Sequence, residues 1–243
     1  MTATPYTPHV MPINPVTHRF AELAATVRDT GLLARSYRFY AGFGAALVLA
    51  LGGVITGFVL LGDSWFQLLI AAALGIVFTQ IAFLGHEASH RTVFASGPAN
   101  DRLGRILSAA VVGISHQWWM TKHSRHHANP NKLGADPDID MDTLSFVEED
   151  ARATRGVIRW INQRQGWLFF PLLTLEGLNL HYRSVASLVT VGTRRQRWTE
   201  LPMIAAHFVV YLGAVFWVLP LGMAFAFVGV QMAVFGVYMG ASF

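Results

Sequence analysis

Apolar and polar positions alternate in long blocks along the chain, and four apolar blocks have the length of a membrane-spanning helix. Crossing a bilayer takes about 20 apolar residues of helix. The four blocks are residues 40–61, 65–84, 201–219 and 223–243, and none of them contains Lys or Arg. Only residues 62–64 and 220–222 separate the two members of each pair. The pattern therefore predicts two tight transmembrane helical hairpins.

A shorter, amphipathic pattern precedes the first hairpin. Its apolar side chains recur at i, i+3, i+4 and i+7, which is typical of one helical face. These positions are Phe20, Leu23, Ala24 and Val27. We expect Thr17 to cap the helix and Gly31 to end it. The helix is expected to lie on the inner membrane surface; a surface helix of a soluble cap is the alternative.

The long segment between the hairpins predicts a folded cap. Residues 103–114 and 167–175 are apolar but too short to span a bilayer, so we expect interfacial helices there. The polar stretch 123–165 is rich in the prolines, asparagines and aspartates that favour turns. The expected fold is all-α and integral to the membrane, with a cytosolic helical cap between two hairpins. Its four parts are residues 1–39, 40–85, 86–200 and 201–243.

The distribution of positive charge predicts the orientation in the membrane. All 18 Lys and Arg residues lie in 1–39 or 86–200, and basic loops stay in the cytoplasm. A multi-pass protein with both termini and the cap in the cytoplasm follows. Attraction to anionic membrane lipid accounts for the net charge of +4, so we expect no nucleic-acid partner. The absence of cysteine excludes disulfides and thiolate chemistry.

Two histidine clusters predict a metal site at the start of the cap. In "GHEASH", His86 and His90 are four residues apart and share one helical face. In "WWMTKHSRHHANPN", His123 is followed by His126 and His127, which point about 100° apart on a helix and so reach two different metals. Imidazole ligands without thiolates suit iron or zinc.

These residues by themselves leave two kinds of enzyme open. "HEASH" fits the H-E-x-x-H pattern of zinc peptidases, in which Glu87 would polarise a metal-bound water. That interpretation gives the second cluster no role. A di-iron oxidase requires more ligands, and His123, His126 and His127 would supply them.

The motifs "GHEASH", "WWMTKHSRHHANPN" and "DPDI" resemble those of the membrane fatty acid desaturase family, particularly its acyl-CoA and front-end branch. "LEGLNLHYRS" at residues 175–184 is also similar to that branch. The resemblance implies an oxidoreductase that uses two iron ions and O2 to insert a double bond into a long-chain acyl-CoA or acyl-lipid. It implies that the iron ligands are His86, His90, His123, His126 and His127. Glu87 is then expected to hydrogen-bond a ligand imidazole rather than act as a catalytic base.

The resemblance also implies partners and weaker candidate positions. We expect a separate electron donor of the ferredoxin, rubredoxin or cytochrome b5 type, with its reductase. Candidates for substrate contact are Trp118, Trp119, Asn129, Asp136 and His181. Membrane anchoring by the tryptophans and ordering of a turn by Asn129 and Asp136 are the alternatives.

One part of the family pattern does not occur in this sequence. The resemblance implies a third box, H-x-x-H-H, after the fourth span, and residues 1–243 contain none. His116, His181 and His207 lack its context. We therefore expect a C-terminally truncated desaturase with an incomplete metal site. A histidine-rich membrane hydroxylase or ketolase is the second hypothesis, and a membrane zinc protease the third.

Overall fold

The computed structural model describes residues 15–140 and 143–242, and every regular element in those ranges is helical, as predicted. Part of the predicted N-terminal segment, residues 1–14, and the last residue of the second hairpin lie outside these ranges. The helices, in chain order, are α1 Pro15–Asp29, α2 Tyr37–Leu61, α3 Gln67–Ser89, α4 Gly97–Arg105, a π-helix Ile106–Val112, α5 His116–Ala128, α6 Glu148–Ala153, α7 Gly156–Asn162, α8 Gln165–Leu173, α9 Glu176–Thr190, α10 Arg194–Val218 and α11 Leu221–Ser242.

The chain divides into two compact units, residues 1–36 and 37–243. Helix α1 belongs to the first, and it leaves Phe20 and Leu23 exposed. It begins at Pro15, so the expectation that Thr17 caps it is wrong; proline suits a first helical position because its φ is already helical. Gly31, with φ +74°, follows the helix as expected.

Four helices of the second unit, α2, α3, α10 and α11, are long and apolar enough to cross a membrane. They correspond to the four predicted spans. Two run into the predicted cap, because α3 continues to Ser89 and α10 begins at Arg194, and α2 begins at Tyr37 within the predicted N-terminal segment. A capping box of Thr193 and Gln196 starts α10. The extension of α3 places His86 on the same helix as the second span and His90 directly after its end.

Helix α11 packs against both α3 and α9, and glycine makes this close approach possible. A Cβ atom on Gly236 of α11 would lie 2.6 Å from the backbone nitrogen of Gly177 in α9. Small residues at such contacts let helix backbones pack directly in a membrane. Side-chain hydrogen bonds add to the packing: Gln80 Nε2 donates to the Tyr238 hydroxyl at 2.6 Å.

The predicted apolar helix at 103–114 is divided in the structure. Helix α4 ends at Arg105, and the π-helix continues from Ile106 to Val112. Gly113 ends it with φ +87°, and a Cβ there would lie 2.6 Å from Cδ2 of His207. This turn leads directly into α5, which carries the second histidine cluster.

Candidate metal centre

Two helix ends bring the histidine clusters together. His86 lies in the last turn of α3, and His90 is the residue that caps its C-terminus. His123 and His127 lie on α5, which begins where the Ser115 hydroxyl accepts a hydrogen bond from the Trp118 backbone N–H at 3.1 Å. His86, His123 and His127 therefore sit on regular helix and His90 directly follows one, which fixes the directions from which their side chains approach.

The Nε2 atoms of three imidazoles form a nearly equilateral triangle. His86 and His123 are 3.1 Å apart, His86 and His90 3.2 Å, and His90 and His123 3.0 Å. Neighbouring nitrogens on an octahedral metal with bonds of about 2.1 Å are about 3.0 Å apart, and on a tetrahedral one about 3.4 Å. The spacing of the three nitrogens thus fits one first-row metal ion.

His127 completes a group of four imidazoles whose ligand atoms all lie within 4.8 Å of one another. Its ring centroid is 4.3 Å from that of His123 and 4.9 Å from that of His90. Trp119, one turn before His123, stacks on the His123 ring at 5.0 Å with an interplanar angle of 19°. The stacked indole restricts the rotation of that imidazole. We call His86, His90, His123 and His127 the four-imidazole group.

The surroundings keep His123 in the form that binds metals. Partial burial, and then the neighbouring imidazoles, lower the pKa of His123 to about 4. Its ring is therefore neutral near pH 7, with one nitrogen lone pair free to coordinate. A metal ligand must be deprotonated, so this electrostatic environment favours coordination.

His126 lies outside the four-imidazole group and faces the polar loop after α5. Its Nδ1 is 3.0 Å from both carboxylate oxygens of Asp136 and 2.9 Å from Oδ2 of Asp138. The structure thus brings four of the five predicted ligands together. The fifth, His126, lies next to two carboxylates instead. Asp136 also orders the loop, accepting backbone N–H bonds from Asn131 and Asp138. Burial raises the pKa of Asp136, but the two backbone hydrogen bonds and the neighbouring His126 ring together outweigh it and lower the pKa overall.

Glu87 has two hydroxyl partners that the sequence did not indicate. Its Oε2 accepts from the Tyr40 hydroxyl at 2.7 Å and from Thr92 Oγ1 at 3.1 Å. The first bond joins α2 to the end of α3, and the second joins α3 to the turn that follows it. The predicted hydrogen bond from Glu87 to a ligand imidazole stays a prediction.

A buried glutamate from the third span supports the start of α5, and sequence reasoning missed it. Glu200 accepts from the Ser115 hydroxyl at 2.6 Å and from the Gln117 backbone N–H at 3.3 Å. Arg105 Nε lies 3.5 Å from its other oxygen. A negative charge at a helix N-terminus is favourable because the helix dipole is positive there. The sequence offered one signal for this role, because Glu200 is an acidic residue directly before the predicted span 201–219.

An apolar cavity lies beside the four-imidazole group. Its walls include His86, Trp118, Trp119 and residues of the π-helix, α9 and α11; the remaining lining residues are Ala82, Ser108, Val112, Ile114, Leu180 and Met239. Both tryptophan candidates thus lie between the imidazoles and the apolar interior. The cavity is small, about 30 Å³, and its lining next to His86 is mostly apolar.

The other predicted positions have backbone partners. The buried His181 ring has Nδ1 2.6 Å from the Gly177 carbonyl and Nε2 3.0 Å from the Val112 carbonyl; burial lowers its pKa. Asn129 caps α5 and donates to the Arg125 carbonyl at 3.3 Å. Contact of either residue with a substrate stays a prediction. His116 and His207 are buried outside the four-imidazole group.

Comparison with known proteins identifies relatives of one kind. The fatty acid desaturase family model matches residues 63–243. The chain is 25% identical over 181 residues to a Delta(8)-fatty-acid desaturase of Helianthus annuus, covering 65% of this chain and 40% of that protein. It is 26% identical over 198 residues to the Fatty acid desaturase 2-like protein FADS2B of Mus musculus, covering 79% and 40%. An Acyl-lipid (9-3)-desaturase of Borago officinalis is 26% identical over 140 residues, covering 53% and 31%.

The chain spans about 40% of the length of the first two of these curated relatives. No solved structure matches it.

Proposed function

Because the chain belongs to the fatty acid desaturase family, we propose that it takes part in the O2-dependent insertion of a double bond into a long acyl chain. The observation that carries this proposal is the four-imidazole group, whose three Nε2 atoms have the spacing of ligands on one metal ion. Its position beside an apolar cavity supports an acyl substrate. Relatives described as fatty-acid and acyl-lipid desaturases support the same assignment.

Iron is the metal that this ligand set and this reaction favour. Neutral imidazoles without thiolates bind iron or zinc, but zinc has no redox chemistry. Bound iron, with O2, would supply the oxidising power that removes hydrogen from unactivated methylenes. We propose that the four-imidazole group and His126 supply part of the ligand set of a centre with two irons.

The electron balance of the reaction requires an external donor. Two hydrogen atoms leave adjacent methylenes, so the acyl chain gives up two electrons and two protons. Reduction of O2 to two waters takes four electrons and four protons. The remaining two electrons and two protons come from the donor and the solvent. We propose a small electron-transfer protein of the ferredoxin, rubredoxin or cytochrome b5 type, with its reductase.

The residues of this chain position the reacting groups. Trp119 holds the His123 ring by stacking on it. Trp118 and Leu180 line the small apolar cavity beside His86. We propose that they orient the reacting part of an acyl chain there, because a reactant held in one orientation loses less entropy on the way to reaction.

The distribution of charge supports a cytoplasmic metal centre. The histidine clusters lie in the segment that contains most of the basic residues, and basic loops remain on the cytoplasmic side. We propose that both termini and the cap face the cytoplasm, with α2, α3, α10 and α11 in the membrane.

The test of the proposal measures metal binding and product separately. The purified protein in detergent is loaded with Fe²⁺ without oxygen, and bound iron per chain is measured by mass spectrometry. Replacement of His86 or His123 by Gln is expected to abolish most of the bound iron. His18→Gln, the same change on α1, is the control and should retain it. Equal iron in all variants would refute the proposed metal site.

Product analysis distinguishes the reaction types. Lipids of cells that express the gene are analysed by gas chromatography with mass spectrometry. A desaturase gives acyl chains with two hydrogens fewer, whereas a hydroxylase gives an added hydroxyl group. If the cells instead make hydroxylated acyl chains, and the His123→Gln variant does not, the protein is a hydroxylase and the desaturase proposal is rejected.

A further inference from the structure

A single buried carboxylate organises the loop that follows α5. Asp136 is 0% exposed, although its surroundings in the sequence are polar. The Asn131 backbone N–H donates to its Oδ2 at 2.7 Å, and the Asp138 backbone N–H donates to its Oδ1 at 2.9 Å. Asn131 has φ +59°, a conformation that asparagine tolerates in turns. The loop is therefore wound around this carboxylate.

The same carboxylate faces one edge of the His126 ring. Both of its oxygens lie 3.0 Å from His126 Nδ1. A carboxylate only accepts hydrogen bonds, so it selects the tautomer in which Nδ1 carries the proton. The lone pair is then on Nε2, at the opposite edge of the ring. Metal-binding histidines commonly have this arrangement, and their carboxylate partners raise the basicity of the ligand.

We propose that Asp136 is the positioning residue that fixes the tautomer and direction of His126, so that Nε2 of His126 binds the metal. This inference rests on the proposed function and explains how the fifth histidine serves it from outside the four-imidazole group. It gives Asp136 a role different from the substrate contact that the sequence suggested.

The contacts argue against a separate cation held by His126 and the two aspartates. Each oxygen of Asp136 already accepts a backbone N–H bond. Asp138 pairs with the Lys122 ammonium group at 2.7 Å, which already balances the negative charge of that carboxylate. Asp138 also reaches His126 Nδ1, at 2.9 Å, but its side chain is 35% exposed. Solvent weakens such a contact, so Asp136 is the stronger partner.

The test is a titration of the full chain with Co²⁺, whose visible absorption reports ligand binding. Asp136→Asn is expected to raise the dissociation constant about 10–100-fold, the usual effect of removing the carboxylate partner of a metal-binding histidine. Asp138→Asn should have a smaller effect. Asp140→Asn, the same change at an exposed position of the same loop, is the matched control and should bind like the unaltered protein.

A double-mutant cycle separates positioning from general damage to the loop. His126→Gln should itself weaken Co²⁺ binding, and adding Asp136→Asn to it should cause no further loss. Additive losses, a larger effect of Asp138→Asn, or unchanged binding by His126→Gln would each overturn the inference. If Asp136→Asn does not fold, the His126→Gln measurement still decides whether His126 is a ligand.

The two proposals fail in different ways. Binding that is lost with His86→Gln but unchanged with Asp136→Asn would reject only the role of Asp136. Binding that is unchanged with His86→Gln would reject the metal site on which both depend.

Discussion

The Nε2 atoms of His90 and His123 lie 3.0 Å apart, although the two residues are 33 positions apart in the sequence. One imidazole ends α3 and the other lies on α5, so the contact closes a loop that contains α4, the π-helix and the Gly113 turn. The metal-binding geometry therefore depends on elements that contribute no ligand.

The pKa of His123 predicts that the metal-free protein loses stability in mild acid. The folded chain protonates His123 only near pH 4, whereas the unfolded chain does so near the ordinary value of about 6.5. Between these values the unfolded state binds more protons, so stability present above about pH 6.5 is lost as the pH falls toward 4. We expect a lower melting temperature at about pH 5 than at about pH 7.5, measured with a chelator present.

The variant His123→Gln provides the control for that measurement. Its melting temperature should depend less on pH than that of the unaltered protein, because one such group has been removed. An identical pH dependence in both proteins would contradict the assignment to His123.

The hydrogen bond between Tyr40 and Glu87 predicts a contribution to stability from the junction of α2 and α3. Tyr40→Phe removes a donor to a carboxylate, and hydrogen bonds to charged groups contribute about 1.5–3 kcal/mol. We expect a corresponding decrease in the free energy of unfolding in detergent. Tyr37→Phe removes a hydroxyl group from an exposed tyrosine of the same helix and should change it little. Equal effects of the two substitutions would show that the Glu87 contact contributes nothing.

The hydrogen bonds of Glu200 predict that α10 stabilises the start of α5, the helix that carries His123 and His127. Glu200→Ala leaves the Ser115 hydroxyl and the Gln117 N–H without their acceptor, at a cost of about 1–3 kcal/mol. We also expect faster amide hydrogen exchange in the first turn of α5, measured by mass spectrometry. Glu149→Ala, at an exposed helical position, is the control. Unchanged exchange in α5 would contradict the link.

Gly113 is predicted to be required for two reasons: its positive φ and the close approach of His207. Gly113→Ala imposes a left-handed conformation on alanine and places a Cβ 2.6 Å from His207. Gly134 also has a positive φ, +70°, but open space around it, so Gly134→Ala should cost only the conformational strain of about 1–2 kcal/mol. We expect a larger loss of stability from Gly113→Ala in thermal unfolding. Equal losses would show that His207 moves aside without cost.

Much of the fold was predictable because the signals for it are local. A bilayer requires about 20 apolar residues per helix, so hydropathy alone indicated both hairpins. The spacing of His86 and His90 predicted that they share one helical face. In the structure His90 directly follows the end of α3, and the two Nε2 atoms are 3.2 Å apart. Helix ends were less predictable: α1 begins at Pro15 rather than after Thr17, and α10 begins at Arg194, before the apolar block.

The sequence by itself determined the membrane helices and the two histidine clusters, because hydropathy and helical period act over a few residues. Tertiary structure alone decided which imidazoles meet, since His126 faces Asp136 while the other four converge. It also decided that Glu87 pairs with Tyr40 and that Glu200 supports α5. Those contacts join residues 47 and 85 positions apart, and only the packing of the helices brings such distant groups within hydrogen-bonding distance.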